Sequence, residues 1–441
     1  MLGYYLHLAL KSLRRTPGLS LLMIGSIGLG ISACIVTLTV YHAMSRNPIW
    51  WKNNVLYAVT LDTAAAGLPA DRRRRALPPM QLSYPDATYL ARSGIPRRTA
   101  IMAVAQGALN GAPGQPVAVP VDTRATTTGF FRMFDVPFEF GGPWGAAADR
   151  GPQPVIVLSR RENVRLFAGA DSVGRTLLWN NHRFRIIGVL EHWDPRPRFY
   201  DMTVGDFARP DGAYIPFKWM TALRIWPSGQ MQCWGKGAIT YQSLLGPGCI
   251  WLEMWVELPS AVSRARFFDL MNAYAAEQRK MGRFNHPLDD RLWDVSQWLR
   301  INHAVTPSSR LLLRLAFTFL AVCLINTVAV LLAKFLGAAP LAGIRRALGA
   351  SRRQIIVQHL TEASLVSLAG SCLALVLTAG ELAAVRALYR HTHDVYGKLA
   401  HFDPLSLAWA LALALLSALL AGGYPAWRAG QIAPAAHLRS Q

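Results

Sequence analysis

The chain has 441 residues, 52% of them hydrophobic and 16% charged, which allows two or three domains and is too apolar for an ordinary soluble protein. A formal net charge of +21 raises a nucleic-acid partner, but the distribution of charge excludes it as the leading reading. Residues 46–314 hold 33 Lys and Arg against 21 Asp and Glu; the remaining basic residues lie in or beside charge-free apolar stretches, where membrane topology and anionic lipid account for them.

Residues 1–18 form a basic lead, with Lys11, Arg14 and Arg15 and no acid. Residues 16–45 contain no charged side chain, and about 20 apolar residues suffice to cross the hydrocarbon of a bilayer. The lead and the small-residue stretch Ala43-Met44-Ser45 imitate a signal peptide, but the apolar core far exceeds the usual ~7–15 residues. An uncleaved span over 19–45 is therefore expected, its excess length taken up by tilt or by helix beyond the bilayer. Within it, Ser26 with Gly30 and Gly28 with Ser32 are small-xxx-small pairs that permit close helix packing.

Residues 46–309 read as one inserted α+β domain, expected in two lobes. PVIVLS (154–159), RTLLW (175–179) and FRIIGVL (184–190) predict strands, with Asn180-Asn181 as a hairpin turn. Residues 83–93 and 260–281 predict amphipathic helices capped by Ser83 and Ser260. Cys233 and Cys249 are the two cysteines of this region; a disulfide and two unpaired thiols are the alternatives, and closing such a loop would stabilise by about 3 kcal/mol. The Arg72–Arg75 run reads as a solvated loop or an anion contact. The stretch holding Trp219, Trp226, Trp234, Trp251 and Trp255 reads as core or as an apolar substrate surface. There is no G-x-S-x-G or H-E-x-x-H, and no catalytic or metal site is predicted.

Further apolar runs predict spans over 310–336, 355–388 and 405–427, giving a membrane protein of four transmembrane α-helices with the large α+β domain inserted between helices 1 and 2. Asn326 inside the second span is costly unless paired, so an interhelical hydrogen bond is expected. The 337–354 loop carries Lys334, Arg345, Arg346, Arg352 and Arg353 in or beside it, whereas the 389–404 loop is balanced. The positive-inside rule puts both termini, the 337–354 loop and the 428–441 tail in the cytoplasm, and the 46–309 domain outside. His391, His393 and Asp394 in the short outer loop are too few for a metal site.

The segment AGIRRALGASRRQIIVQHLTEASLVSLAG (342–370) closely resembles the cytoplasmic segment of MacB/FtsX-type ABC permeases. SLRRTPGLS before the first span and YPAWRAGQIAPAAHLRS (424–440) agree with that family, as do GFFRMFDVPFEFGGPW (129–144), the 154–190 segment, LSYPDATYLAR and residues 256–279 in the outer domain. The resemblance covers nearly the whole chain in order. It implies a bacterial inner-membrane permease with a periplasmic domain and a coupling helix. Ile344, Arg345, Arg346, Leu348, Gly349, Arg352 and Arg353 would dock on an ATPase dimer. It further implies a second permease (the same chain or a paralogue), lipid contact, and a periplasmic adaptor or outer-membrane component as a further partner. No G-x-x-x-x-G-K-[ST] occurs, so the chain is expected to hold no cofactor, with ATP and Mg bound by a separate ATPase. Relatives carry an acid just before the coupling segment, where Pro340-Leu341-Ala342 stands here; a partner permease that supplies the acid is the expectation this raises. Efflux or extraction of a substrate is the leading function, and an FtsX-like regulator or scaffold without cargo the alternative.

Overall fold

The computed structural model describes residues 2–63, 78–110, 118–205, 207–234, 238–284, 290–338, 340, 344–346, 348–388 and 404–431. The Arg72–Arg75 run, His391, His393 and Asp394 lie outside them. The chain divides into two compact units, Arg46–Ala304 and the combination of Met1–Ser45 with Val305–Gln441.

The first helix, α1 (Leu2–Arg15), is separated from α2 (Pro17–Ser45) at Thr16, where Pro17 supplies the fixed φ that suits a first helical position. At 29 residues, α2 is about 44 Å long, well over the hydrocarbon thickness.

The 46–304 unit is built on one ten-stranded sheet. Its strands are β1 (Leu56–Thr60), β2 (Arg98–Asn110), β3 (Val119–Thr126), β4 (Phe138–Gly141), β5 (Val155–Leu158), β6 (Thr176–Trp179), β7 (His182–Leu190), β8 (Ala213–Pro216), β11 (Glu253–Glu257) and β12 (Arg291–Asp294). The order is β12-β1-β11-β2-β3-β8-β5-β7-β4, and β6 bridges β2 and β7. A small second sheet pairs β9 (Gln232–Cys233) with β10 (Cys249–Ile250). Two expected lobes are thus a single unit. The reason is the parallel pairing of β3 with β8, which joins the two halves of the strand order edge to edge.

Both faces of this sheet are covered, so successive residues enter different cores. Tyr57, Val59, Met254 and Val256 point to one face, where α3 (Tyr84–Ala91) and α6 (Ala261–Lys280) pack. Leu56, Ala58 and Trp255 point to the other, against α4 (Gly129–Met133) and α7 (Val295–Ile301). Between them in sequence, α5 (Arg160–Phe167) follows β5. Ser83 accepts from the Asp86 amide, and Ser260 forms a reciprocal capping box with Ser263. Asn180 and Asn181 both have positive φ, 46° and 64°, as a two-residue turn between β6 and β7 requires. Trp251 and Trp255 are buried on opposite faces while Trp226 is exposed, so the tryptophans form no common surface. Cys233 faces Cys249 across the small sheet and is joined to it by a disulfide.

The chain returns through α8 (Pro307–Gly337) to α9 (Arg352–Leu388) and α10 (Pro404–Gly430). Three helices among the described residues are long and apolar enough to cross a membrane: Pro17–Ser45, Pro307–Gly337 and Arg352–Ala384.

An ionic cluster lies inside the sheet unit. Arg124 on β3 is fully buried; its Nε and Nη2 donate to Asp211 at 3.0 and 3.2 Å, and its Nη1 lies 2.6 Å from Asp201. Arg198 Nη2 reaches Asp211 at 2.5 Å. Two guanidiniums and two carboxylates balance, so the neighbouring buried Glu253 on β11 has no cation left to neutralise it. Gln81 Nε2 donates to it at 3.0 Å, and burial together with the charge on Asp201 pushes its carboxyl up to about 8. The folded chain therefore holds a proton that the unfolded chain releases above about 4.5, so this residue's contribution to stability declines as pH rises toward 8. Thermal unfolding of the full chain from pH 5 to 9 should show a fall in Tm that Glu253→Gln flattens; identical slopes for the two proteins would refute the assignment.

Candidate functional site

The connection from α8 to α9 is the site singled out by the sequence, and its geometry follows from local rules. Ile344–Arg346 are helical, and the turn closes with Gly349 donating to Arg346 O at 3.1 Å and Ala350 to Arg345 O at 3.0 Å. This pair of bonds is a Schellman closure, and it puts Gly349 at φ +101°, a conformation that strains any residue with a side chain. Two residues on, Ser351 opens α9: its amide donates to Gln354 Oε1 at 2.8 Å, and the Gln354 amide donates back to Ser351 Oγ at 3.3 Å. Arg352 and Arg353 follow at once in the first turn of α9 and are exposed.

The segment presents apolar and cationic side chains together. Leu348 is 83% exposed and Ile344 52%, with the arginines on either side of them in sequence. Arg345 Nη1 donates to Gln358 Oε1 on α9 at 2.7 Å, fixing the turn to that helix. Residues 341–343 and 347, which include the Leu341-Ala342 departure from the family, lie outside the described residues.

One turn further along α9, Glu362 is almost fully buried. It accepts Lys334 Nζ of α8 at 2.6 Å and Ser12 Oγ of α1 at 2.7 Å, so a single carboxylate holds three helices. The His359 ring lies 4.0 Å from that of Phe335, adding a second α8–α9 contact at the same level. Sequence reasoning missed this junction. It treated Lys334 and Glu362 as loop charges and residues 1–18 as a basic lead to the first span. The available signal was the helical spacing of Leu2, Leu6, Ala9 and Leu13, of which Ala9 is buried.

Further along the bundle, α2 is the central helix. Met23, Ile27, Ile31 and Ile35 form its buried stripe against α8 and α9. A Cβ on Gly28 would stand 3.0 Å from Leu373 Cδ2 and 3.2 Å from Gly370 O; one on Gly30 would stand 2.9 Å from Leu320 Cδ1. Both glycines thus sit where neighbouring helices come closest. Ser32 is buried and donates to Leu29 O at 3.1 Å and Glu381 Oε1 at 3.3 Å, while Ser26 is half-buried. Asn326 corrects the expectation of an interhelical bond within the chain. It is exposed on α8, because the neighbouring Thr327 and Cys323 take the inward face.

Removing one partner from a buried ion pair leaves the other unpaired. Glu362→Gln should therefore lower the stability of the detergent-solubilised chain by about 3 kcal/mol. Adding Lys334→Met to Glu362→Gln should recover most of the loss, a coupling read from the double-mutant cycle of the two single variants and their combination by melting curves. Additive effects of the two single changes would show that the pair does not bear on stability.

Comparisons with known proteins match two successive parts of the chain. A family model described as the MacB-like periplasmic core domain matches residues 20–273, and one described as the FtsX-like permease C-terminal matches residues 314–434. The macrolide export ATP-binding/permease protein MacB of Escherichia coli is 26% identical over 323 residues, 71% of this chain and 43% of that protein. The chain thus spans less than half the length of the curated relatives it matches. Among solved structures, the periplasmic region of MacB from Actinobacillus actinomycetemcomitans aligns at 14% identity and a TM-score of 0.35, covering 57% of this chain and 94% of that one. The extracellular domain of the noncanonic ABC-type transporter YknZ from Gram-positive bacteria aligns at 11% and 0.31, covering 48% and 88%. The first family model alone takes in more than half of the residues, and the chain belongs to the MacB/FtsX-type ABC transporter permeases, inner-membrane proteins with a periplasmic domain.

Proposed function

We propose that this chain is the force-transmitting permease of a MacB-type transporter, in which a separate ABC ATPase dimer docks on residues 344–353 and drives movements of the 46–304 unit. In this reading α10 is the fourth span, the termini and the 344–353 segment lie in the cytoplasm, and the inserted unit lies in the periplasm. ATP and Mg are bound by the ATPase, and this chain does no chemistry. The cargo is taken from the periplasm or the membrane and moved outward.

The observation that carries the proposal is the exposed pair Ile344 and Leu348 amid four arginines, held by Arg345 to α9 one turn from the Glu362 junction. An apolar knob ringed by cations suits an acidic, partly apolar groove, and its rigid mounting suits the passage of force rather than simple topology. A second permease is part of the same reading: Asn326 exposed on the face of α8 is costly in lipid and is satisfied by a polar group of a neighbouring helix. The name of the MacB relative includes macrolide export; an FtsX-like regulator that moves no cargo would share every feature of the dock and differ only in lacking substrate-stimulated hydrolysis.

Arg345→Glu combined with Arg346→Glu should reduce co-purification of the cognate ATPase by roughly tenfold or more, since reversed charge at a dock is repelled as well as unpaired. Leu348→Asp should act in the same direction while leaving the melting temperature unchanged, because the side chain is exposed. Wild-type ATPase recovery and hydrolysis in both variants would sink the docking assignment.

A further inference from the structure

Helix α1 carries three neighbouring rows of side chains, each spaced four residues apart and so aligned along one side of the helix. In the first row Ala9 is buried and Tyr5 and Leu13 are half-buried, Leu13 packing on the apolar core of the bundle. Ser12 beside this row donates to Glu362 at 2.7 Å, and Leu13 O accepts from Ser20 Oγ at 3.1 Å, which fixes the rotation of α1 on the bundle. The second row, Leu6, Leu10 and Arg14, is exposed, and so is the third, His7, Lys11 and Arg15. No carboxylate occurs in α1, and none among the described residues lies within ion-pair distance of Lys11, Arg14 or Arg15.

Connectivity places these rows at the bilayer surface. Thr16 alone separates α1 from α2, and α2 exposes Leu19, Leu21 and Leu22 in its first turns, where hydrocarbon covers them. At 1.5 Å per residue, Arg14 stands about 8 Å from the level of Leu19 even if α1 points straight away from the span. The headgroup layer on each side of the hydrocarbon is about 5–8 Å deep, so Arg14 and Arg15 reach it in any orientation of α1. Leu6 and Leu10 then choose among the orientations. On a helix projecting into water they would stay wet beside three cations; on a helix lying in the interface they enter the acyl boundary while the third row keeps to water.

We propose that α1 lies in the membrane interface and binds the phosphate-bearing headgroups of anionic phospholipids in the leaflet where α2 begins. Leu6 and Leu10 enter the acyl boundary, and Lys11, Arg14 and Arg15 take the phosphates. The cations account for preference toward anionic lipid, and the leucines for a ligand still held in its bilayer. Through Ser12, the lipid-bound helix is fixed to the same carboxylate that holds α8 and α9 together. This surface requires the membrane reading of α2 and is independent of the ATPase dock.

The test uses the full chain with Cys34, Cys323 and Cys372 replaced by Ala, reconstituted without ATPase in phosphatidylcholine nanodiscs. A nitrobenzoxadiazole fluorophore is attached at Leu10→Cys or at His7→Cys. Position 10 should be quenched by phospholipid carrying a nitroxide high on its acyl chain and shielded from aqueous iodide, and position 7 the reverse. At position 10, trace nitroxide-labelled phosphatidylglycerol should quench about fivefold more strongly than the phosphatidylcholine equivalent. Salt at about 1 M should reduce that ratio severalfold. Lys11→Gln, Arg14→Gln and Arg15→Gln together should bring it close to one, whereas the charge-matched control Arg165→Gln, Arg183→Gln and Arg185→Gln should keep it. If the first triple variant fails to insert, the salt dependence decides alone. Equal quenching by the two lipids, a ratio indifferent to salt or to the α1 substitutions, or an equal loss in the control overturns the proposal. So does iodide reaching position 10 as readily as position 7, which puts the leucine row in water, or protection of position 10 from both quenchers, which puts protein over it.

Discussion

The close approach of α8 and α9 to α2 is the constraint on which the rest of the membrane unit depends. No apolar driving force separates helix from lipid inside a bilayer, so association relies on contact between surfaces that can come near one another. Gly28 admits Leu373 and the Gly370 carbonyl, Gly30 admits Leu320, and Gly370 in turn admits Ile27. A Cβ at any of these positions would crowd the facing side chain and force it to shift. Because α2 is the helix that precedes the inserted unit and α8 the one that follows it, the same contacts fix the two points through which the chain leaves and re-enters the bundle.

Buried charge is handled alike in the two units. In the sheet unit, Arg124 and Arg198 meet Asp201 and Asp211 with hydrogen bonds on most of their faces, and the balance forces the nearby Glu253 toward its neutral form. Such a cluster contributes little net stability, since desolvation offsets most of the attraction, but it admits few arrangements of β3, β8 and β11. At the bundle end, Lys334 and Glu362 do the same for helices, with Ser12 as the third member. In both places a buried ionic contact joins segments far apart in sequence and so specifies register more than it adds free energy.

The membrane helices, the strands over 154–190 and the caps at Ser83 and Ser260 were legible because each rests on a local rule: charge-free length, alternation, or a side chain one turn from the amide it serves. The 344–353 segment stood out only through its resemblance to a family, since four arginines beside a span equally describe topology. Its internal geometry was nonetheless written locally, in Gly349 and in the Ser351–Gln354 box. What the sequence hid was pairing at long range. Glu362 finds Ser12 350 residues away, and nothing in either neighbourhood marks the partner. The single sheet was hidden for the same reason, because the β3–β8 pairing that unites it links residues almost a hundred positions apart. Asn326 misled because a polar residue in a span says that a partner is needed without saying on which side.

The two ends of the inserted unit are joined by side chains. Asn53 Oδ1 accepts from Asn47 Nδ2 at 2.8 Å, from the Ser296 amide at 2.9 Å and from Ser296 Oγ at 2.8 Å. Asn47 lies just after α2, and Ser296 lies on α7, eleven residues before α8 begins. One side-chain oxygen therefore ties the chain just ahead of β1 to the chain just past β12. The two ends of the inserted unit are therefore held to each other by side-chain hydrogen bonds as well as by the β1–β12 pairing, so fraying either end breaks both sets of contacts.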